Sequence, residues 1–181
     1  MIPKVFPNPF YLLLIMISAA WVLISRVNDQ TNTELPLSTL SQSPLDFSPF
    51  GQSFTPTLPS LSFVNLLTES GSLTENGSLT GSGSATVEVN IRLGSILGPI
   101  LGTSQPTVIP FSLAPSVSSF KFSKPLPLSV GERYVIEPVV VSGHTLVVST
   151  TTNHYVGGNQ ILRGVAQTNS DLWFQEGISV P

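Results

Sequence analysis

The sequence predicts an all-β fold, a jelly-roll-like β-sandwich, and three observations support that prediction. Only 9% of the 181 residues are charged, so the interleaved charges of a helical bundle are missing. Ser, Thr and Val suit the pleated, half-exposed surface of a sheet. From about Gly51 onward, short apolar runs alternate with turn residues, and none has the period of an amphipathic helix.

The clearest predicted strand covers residues 84–93. Ala85, Val87, Val89, Ile91 and Leu93 alternate there with polar residues, which directs one face to a core and the other to water. Further strands are predicted at residues 52–55, 60–67, 107–111, 119–123, 126–129, 133–141, 145–152, 161–166 and 171–175.

Local patterns predict how these strands connect. Residues 141–145 are typical of a hairpin turn between two Val-rich strands. Pro138 indicates an edge or a bulge, because proline cannot donate to a sheet ladder. A Ser/Gly-rich hexamer repeats through residues 68–85 and predicts a long hairpin connection. Gly94, Gly98 and Gly102 have the spacing of paired membrane helices, but Pro99 interrupts them, so a turn-rich β connection is predicted.

Residues 1–27 are predicted to be a signal peptide or signal-anchor. Residues 10–25 form an uncharged apolar run preceded by Lys4, as in export signals. Ser18-Ala19-Ala20 offers a cleavage site, and an uncut run would be a hydrophobic helix in the membrane. Residues 28–50 are predicted to be a disordered linker, because they are polar and lack apolar periodicity. Residues 51–178 would then form the β-sandwich domain.

Charge and cysteine content narrow the function classes. The formal net charge is −3 and no cluster of Lys or Arg is present, which argues against nucleic acid as a partner. The absence of Cys excludes disulfides, thiolate metal sites and a cysteine nucleophile. Small eukaryotic secreted domains often depend on disulfides. We therefore expect an exported protein of a bacterial envelope, secreted or held at the surface.

No established catalytic motif is present. The sequence lacks the nucleophile elbow, the zincin motif, the P-loop, the dinucleotide-binding glycines and the EF-hand loop. We predict that the protein is not an enzyme. One alternative stays open, because paired carboxylates on a jelly roll can hydrolyse glycosides. The carboxylates available for such a pair are Glu88, Glu132, Glu137 and Asp171.

Two aromatic residues are the candidate ligand-binding residues. Trp173 has the opposite phase from Leu172 and Phe174, so we expect it to leave the main core. An outward Trp can stack on a sugar ring or pack under a loop. Tyr155 precedes Val-Gly-Gly in a neighbouring loop and is the second aromatic candidate.

Asn153 and Asn159 complete the predicted binding site. Together with Asn169 and Asp171, they supply oxygen atoms of the kind that Ca²⁺ binds. Asn and Asp also occur in turns for backbone reasons. His144 and His154 are too few for a zinc site without distant carboxylates. No metal or cofactor is therefore predicted.

Several ordered landmarks resemble one family of bacterial exported proteins, the PEP-CTERM or choice-of-anchor type. The landmarks lie at residues 51–55, 81–87, 98–104, 120–122 with 126–128, 131–135, 155–158 and 171–174. The resemblance covers residues 50–177 and implies a jelly-roll sandwich shaped like carbohydrate-binding modules, with no catalytic or ligand residues to transfer. The chain departs from that family because no apolar anchor precedes Pro181. Any retention at a membrane is therefore expected to depend on residues 10–25.

These features together predict a non-catalytic, exported or surface-anchored module that binds extracellular polysaccharide or matrix. A purely structural envelope component is the first alternative, and a polysaccharide-active enzyme is the second. Fold alone does not decide among them.

Overall fold

The computed structural model describes residues 25–33, 42–73, 79–80, 83–152 and 155–180. These residues contain fifteen strands and no helix, so nothing in this part of the chain could cross a membrane as a helix. Of the predicted signal run at residues 10–25, only residue 25 is among the described residues. The strands are β1 Ser25–Asn32, β2 Gly51–Phe54, β3 Ser60–Leu73, β4 Leu79–Thr80, β5 Ala85–Leu93, β6 Ile100–Thr103, β7 Thr107–Ile109, β8 Ser112–Pro127, β9 Tyr134–Gly143, β10 Thr145–Val148, β11 Thr150–Thr152, β12 Gln160–Leu162, β13 Val165–Ala166, β14 Ser170–Leu172 and β15 Phe174–Val180.

The first sheet is organised around β3. On one side β3 pairs with β8 from Ser60 to Ser70. On its other side it pairs with β15 through residues 63–66 and with β10 through residues 68–71. Strand β1 adds to the outer edge of β15, and β4 pairs with the end of β3. All of these pairings are antiparallel.

The second sheet has the order β13-β12-β2-β9-β5-β6, and β7 also pairs with β5. Strand β5 pairs with β9 along its whole length. Its apolar residues behave as the alternation predicts, since Ala85, Val87, Val89 and Ile91 are fully buried. Leu93, at the end of the strand, is exposed.

The core lies between the two sheets. The first sheet contributes Val64, Leu66 and Phe120, and Leu172 and Phe174 from the closing strands pack in the same cluster. The second sheet contributes the apolar face of β5 together with Phe54, Tyr134 and Ile136. The all-β sandwich predicted from the sequence is therefore present.

The prediction of a disordered linker at residues 28–50 is wrong for the described part of that range. Residues 28–32 belong to β1, which pairs with β15 across a bulge between Asn28 and Thr31. Residues 42–50 contain a turn that brings Phe47 and Phe50 against the core. Buried contacts thus order a segment whose composition alone predicts disorder. Residues 34–41 lie outside the described residues.

The prediction of a hairpin at residues 141–145 is also wrong. Strand β9 pairs with β5 and β2 in the second sheet, whereas β10 pairs with β3 in the first. The chain therefore crosses from one sheet to the other at His144. Gly143 makes this possible, because its φ of +92° is strained for any residue with a side chain.

The expectation for Pro138 holds. Strand β2 pairs with β9 only as far as Ile136, so β9 has a partner on one side alone at Pro138. The glycine-rich segment after β5 forms a turn followed by the short strand β6, as the interruption by Pro99 predicts.

The two faces of β8 should differ sharply in their sensitivity to truncation. Phe120→Ala removes a fully buried ring, so we expect the free energy of unfolding to fall by about 3–5 kcal/mol. Val117→Ala in the same strand is the matched control, because Val117 is 55% exposed and should change stability by less than about 0.5 kcal/mol. Urea unfolding of both variants measures the difference. Equal losses would place Phe120 outside the core.

Candidate functional site

One segment of the chain leaves the first sheet and carries most of the predicted site residues. Strands β10 and β15 meet end to end along one side of β3, where the Ser149 amide donates to the Leu67 carbonyl at 2.9 Å. Between these two strands the chain departs at Ser149 and returns at Trp173. We call residues 149–173 the excursion. Its two ends pair as β11 and β14, and its middle joins the second sheet through β12.

Two fully buried polar side chains hold the excursion in place. The Gln52 Nε2 group donates to Asp171 Oδ1 at 2.9 Å, and Gln52 Oε1 accepts from the Leu172 amide at 2.8 Å. Asp171 Oδ2 in turn accepts from the Tyr155 amide at 3.1 Å. Neither Gln52 nor Asp171 has any exposed surface. Each satisfies polar groups that would otherwise be buried without hydrogen-bond partners. Every group left unsatisfied would lower stability by roughly 1–3 kcal/mol.

The ring of Tyr155 packs inside the sandwich. It meets Phe174 edge to face, with ring centroids 5.1 Å apart, and only 7% of the residue is exposed. Its hydroxyl donates to Gln30 Oε1 at 3.1 Å and accepts from the Thr55 amide at 3.2 Å. Burial, opposed by the Thr55 hydrogen bond, raises the pKa of Tyr155 to about 12. Tyr155 thus ties β1 to the loop after β2.

The glycines that follow Tyr155 have a steric role. The position of a Cβ on Gly158 would collide with the Ser53 carbonyl oxygen, and one on Gly157 would collide with the Tyr155 hydroxyl. The sequence Tyr-Val-Gly-Gly therefore permits a close approach between this loop and β2.

Trp173 and Asn159 are the other predicted binding residues that the structure describes. Trp173 lies outside the main core cluster, as its phase predicts, but only 9% of the residue is exposed. Little of its ring is therefore available for stacking on a ligand. Asn159 is half-buried, and its backbone amide and carbonyl both bond with Ser53. Asn153 lies outside the described residues.

A polar cavity of about 320 Å³ lies beside the ribbon of β11 and β14. Its lining has three threonines, two glutamines, an asparagine, a serine and one leucine, and no charged side chain. The lining residues are Gln42, Thr150, Thr151, Thr152, Leu162, Gln167, Asn169 and Ser170. We call this space the threonine cavity. Of the loop residues singled out from the sequence as oxygen donors, Asn169 lines it.

Hydrogen bonds fix the walls of the threonine cavity. Gln160 Nε2 donates to Gln42 Oε1 at 3.0 Å, and the Ser170 hydroxyl donates to Gln160 Oε1 at 2.7 Å. Asn32 Nδ2 donates to the hydroxyl of the lining residue Thr151 at 2.7 Å. Asn32 also donates to the Leu172 carbonyl at 2.9 Å. The cavity is consequently shaped by groups from β1, from the segment after residue 41 and from the excursion.

A pair of carboxyl groups that the sequence argument missed lies between β1 and β15. Glu176 is fully buried on the same face as Phe174, and neither of its carboxyl oxygens has a hydrogen-bond partner. The Asp29 carboxyl and the Gln30 amide are close to the Glu176 carboxyl, but neither meets the geometry of a hydrogen bond to it. Burial, followed by the negative charge of Asp29, raises the pKa of Glu176 to about 8.

Asp29 is stabilised as a carboxylate by the loop after β2. Its oxygens accept hydrogen bonds from the Thr57 amide and the Leu58 amide, each at 2.8 Å, and from the Thr57 hydroxyl. Although burial alone would raise it, these bonds lower the pKa of Asp29 below its usual value. The sequence did not indicate this pair, because Asp29 fell in the predicted linker. The one available signal was that Glu176 has the apolar phase of the last strand.

Two of the carboxylates considered from the sequence are engaged in hydrogen bonds within the domain. Glu137 accepts from Arg92 Nε at 2.7 Å and from Asn90 at 2.9 Å. Asp171 is committed to Gln52 and Tyr155. Among the described residues, no three His, Asp or Glu side chains gather in a way that could hold a metal ion.

Comparison with known proteins adds no functional assignment: no family model, no curated protein and no solved structure matches the chain.

The buried carboxyl of Glu176 predicts a specific dependence of stability on pH. Because its pKa is about 8 in the folded state and about 4.5 unfolded, its contribution is fully present below pH 4.5. The contribution is lost as pH rises from 4.5 to 8, by up to roughly 1.4 kcal/mol per pH unit. Glu176→Gln should remove this fall in the free energy of unfolding with rising pH, measured by denaturant unfolding at successive pH values. The exposed Glu132→Gln is the control and should keep it; an unchanged slope in Glu176→Gln would contradict the assignment.

Proposed function

We propose that this protein is a non-catalytic, exported or surface-anchored jelly-roll module that binds a neutral polysaccharide in the threonine cavity. The observation that supports the proposal most directly is the uncharged hydroxyl and amide lining of that cavity. Such groups both donate and accept hydrogen bonds, which matches the hydroxyls of a sugar. A charged ligand would find no ion partner among the lining side chains.

The size and rigidity of the cavity favour a short stretch of sugar chain. Its volume of about 320 Å³ lies at the lower end of the range for small-ligand sites. The hydrogen bonds through Gln160 and Asn32 hold the lining before a ligand arrives, which lowers the entropy lost on binding. No aromatic side chain is part of the lining, so hydrogen bonding rather than ring stacking would provide most of the affinity there.

Export is the second part of the proposal and is supported by the sequence. The uncharged run at residues 10–25 follows Lys4, and the chain has no Cys. An exported bacterial module of the cell envelope fits both features. Cleavage of the run would release the module, and retention of the run would hold it at the membrane.

One observation favours a structural component of the envelope as a second candidate. Val108, Phe111 and Leu113 are exposed near one end of the sandwich, although a soluble monomer usually exposes large apolar residues singly. Self-association through this region would need no small ligand.

Substitution in the threonine cavity should weaken retention on polysaccharide. We expect Gln167→Ala and Asn169→Ala each to reduce binding several-fold in a pull-down or glycan array, because each removes an amide from the lining. Gln105→Ala is the matched control, since Gln105 is an exposed amide outside the cavity.

The same experiment separates the remaining possibilities. Loss of retention in Trp173→Leu with full retention in both cavity variants would move the site to the predicted aromatic residues. Absence of retention for the native chain on every polysaccharide would favour the structural component.

A further inference from the structure

Several connections meet at one end of the sandwich, which we call the basal end. It contains residues 55–59, 94–99 and 128–133. The Gly131 amide donates to the Pro56 carbonyl at 3.0 Å, and the Gly94 amide donates to the Arg133 carbonyl at 2.9 Å. Backbone hydrogen bonds therefore join these three connections into one surface.

The first described residue of the chain also lies at the basal end. Strand β1 is antiparallel to β15, and β15 is antiparallel to β3, so β1 and β3 run in the same direction. Strand β3 begins directly after residues 55–59. Ser25, the first residue of β1, therefore lies at the basal end. The uncharged apolar run of residues 10–25 joins the domain at this residue.

The basal end exposes a group of large apolar side chains. Leu97 is 80% exposed at the tip of the connection after β5, and Val130 is 58% exposed in the adjacent connection. Ile100 and Leu101 follow in β6 and are also exposed. Water contact with this group is unfavourable by roughly 25 cal/mol for each Å² of apolar surface.

The connection that carries Leu97 is held in one conformation. The Gly98 amide donates to the Ser95 carbonyl at 2.9 Å, and Arg92 Nη1 donates to the Gly98 carbonyl at 2.8 Å. The Leu93 amide also donates to the Pro99 carbonyl at 3.0 Å. Leu97 is therefore presented to solvent by a fixed turn.

Two arginines lie near these apolar residues, together with acidic groups. Arg133 belongs to the connection of residues 128–133, and Arg26, the second residue of β1, stacks over the Phe63 ring at 4.9 Å. Among the acidic groups there, Glu132 is exposed, Glu137 is paired with Arg92, and Asp29 is bound by Thr57 and Leu58. Apolar side chains with arginines nearby suit the surface of a bilayer that carries anionic lipid.

The opposite end of the sandwich lacks this combination. Val108, Phe111, Leu113 and Val141 are exposed there. The segments that carry them, residues 105–118 and 138–147, contain no Lys or Arg. The presence of arginines therefore distinguishes the basal end from the opposite end.

We propose that the basal end docks on a lipid bilayer, with Leu97, Ile100 and Val130 in the headgroup region and the arginines next to phosphate groups. The inference rests on the membrane-retained form of the proposed function, in which residues 10–25 stay attached. It adds an orientation: the domain sits upright on its connections, and the threonine cavity, which lies beside the excursion at the side of the sandwich, faces away from the lipid.

The absence of Cys in the native chain permits a direct test with single labels. Full-length Leu97→Cys and Val108→Cys variants would each carry the fluorophore NBD, whose emission rises in an apolar environment. Both would be mixed with vesicles of phosphatidylcholine and phosphatidylglycerol and sedimented. We expect a several-fold rise in emission for the label at position 97 and an emission close to that in buffer for the label at position 108.

The outcomes separate this inference from the proposed function. Sedimentation of the chain with both labels in water would overturn basal docking while leaving membrane retention intact. Equal rises at the two positions would also overturn it, because the label itself would then be responsible. A chain that stays in the supernatant would contradict membrane retention and docking together. Binding to polysaccharide would be unaffected by any of these results.

Discussion

The buried hydrogen bonds between Gln52, Asp171 and Tyr155 are the constraint on which the rest of the structure depends. Residues 149–173 leave the first sheet, so their backbone groups lose the regular ladder that would otherwise satisfy them. Gln52 from β2 replaces that ladder for Leu172, and Asp171 replaces it for Tyr155. The network therefore connects the excursion, which leaves the first sheet, to β2 of the second sheet.

The same network positions the features proposed to function. Fixing Leu172 places β14 against β11, and this ribbon forms one wall of the threonine cavity. Fixing Tyr155 brings its hydroxyl to Gln30 and so holds β1 at the edge of the first sheet. Asp29 and Gln30 of β1 lie close to Glu176, whose burial makes the protonated form the favoured one near neutral pH. One polar cluster thus connects the threonine cavity, the edge strand and the dependence of stability on pH.

The sequence was most informative where apolar alternation was long. Strand β5 follows its predicted phase, because burial of an entire face determines it. The polar strand β1 gave no such signal, because hydrogen bonds hold it in place of apolar contacts. Asp29 and Gln30 accept from Leu58 and Tyr155, and Asn32 donates to Leu172. Residues 141–145 have hairpin composition, yet the partners of β9 and β10 are set by strands distant in sequence.

The candidate site was predictable only in part. Of the loop residues that the sequence offered near the C-terminal strands, Asn169 lines the threonine cavity, whereas Tyr155, Asn159 and Trp173 are not among its lining residues. The threonines of β11 could not be singled out, because Thr is common in any strand and their cavity is created by the excursion. Trp173 shows the limit of phase arguments: its side chain leaves the core as predicted, yet neighbouring segments cover it.

Native-state hydrogen exchange of two amides tests the central claim most directly. The Leu172 and Tyr155 amides donate only to the side chains of Gln52 and Asp171 in this account, not to a strand partner. If the buried network holds the excursion, both amides should exchange as slowly as that of Ile136 in the middle of the second sheet. Exchange of both amides at the rate of an exposed loop would show that the excursion opens independently and would contradict the account.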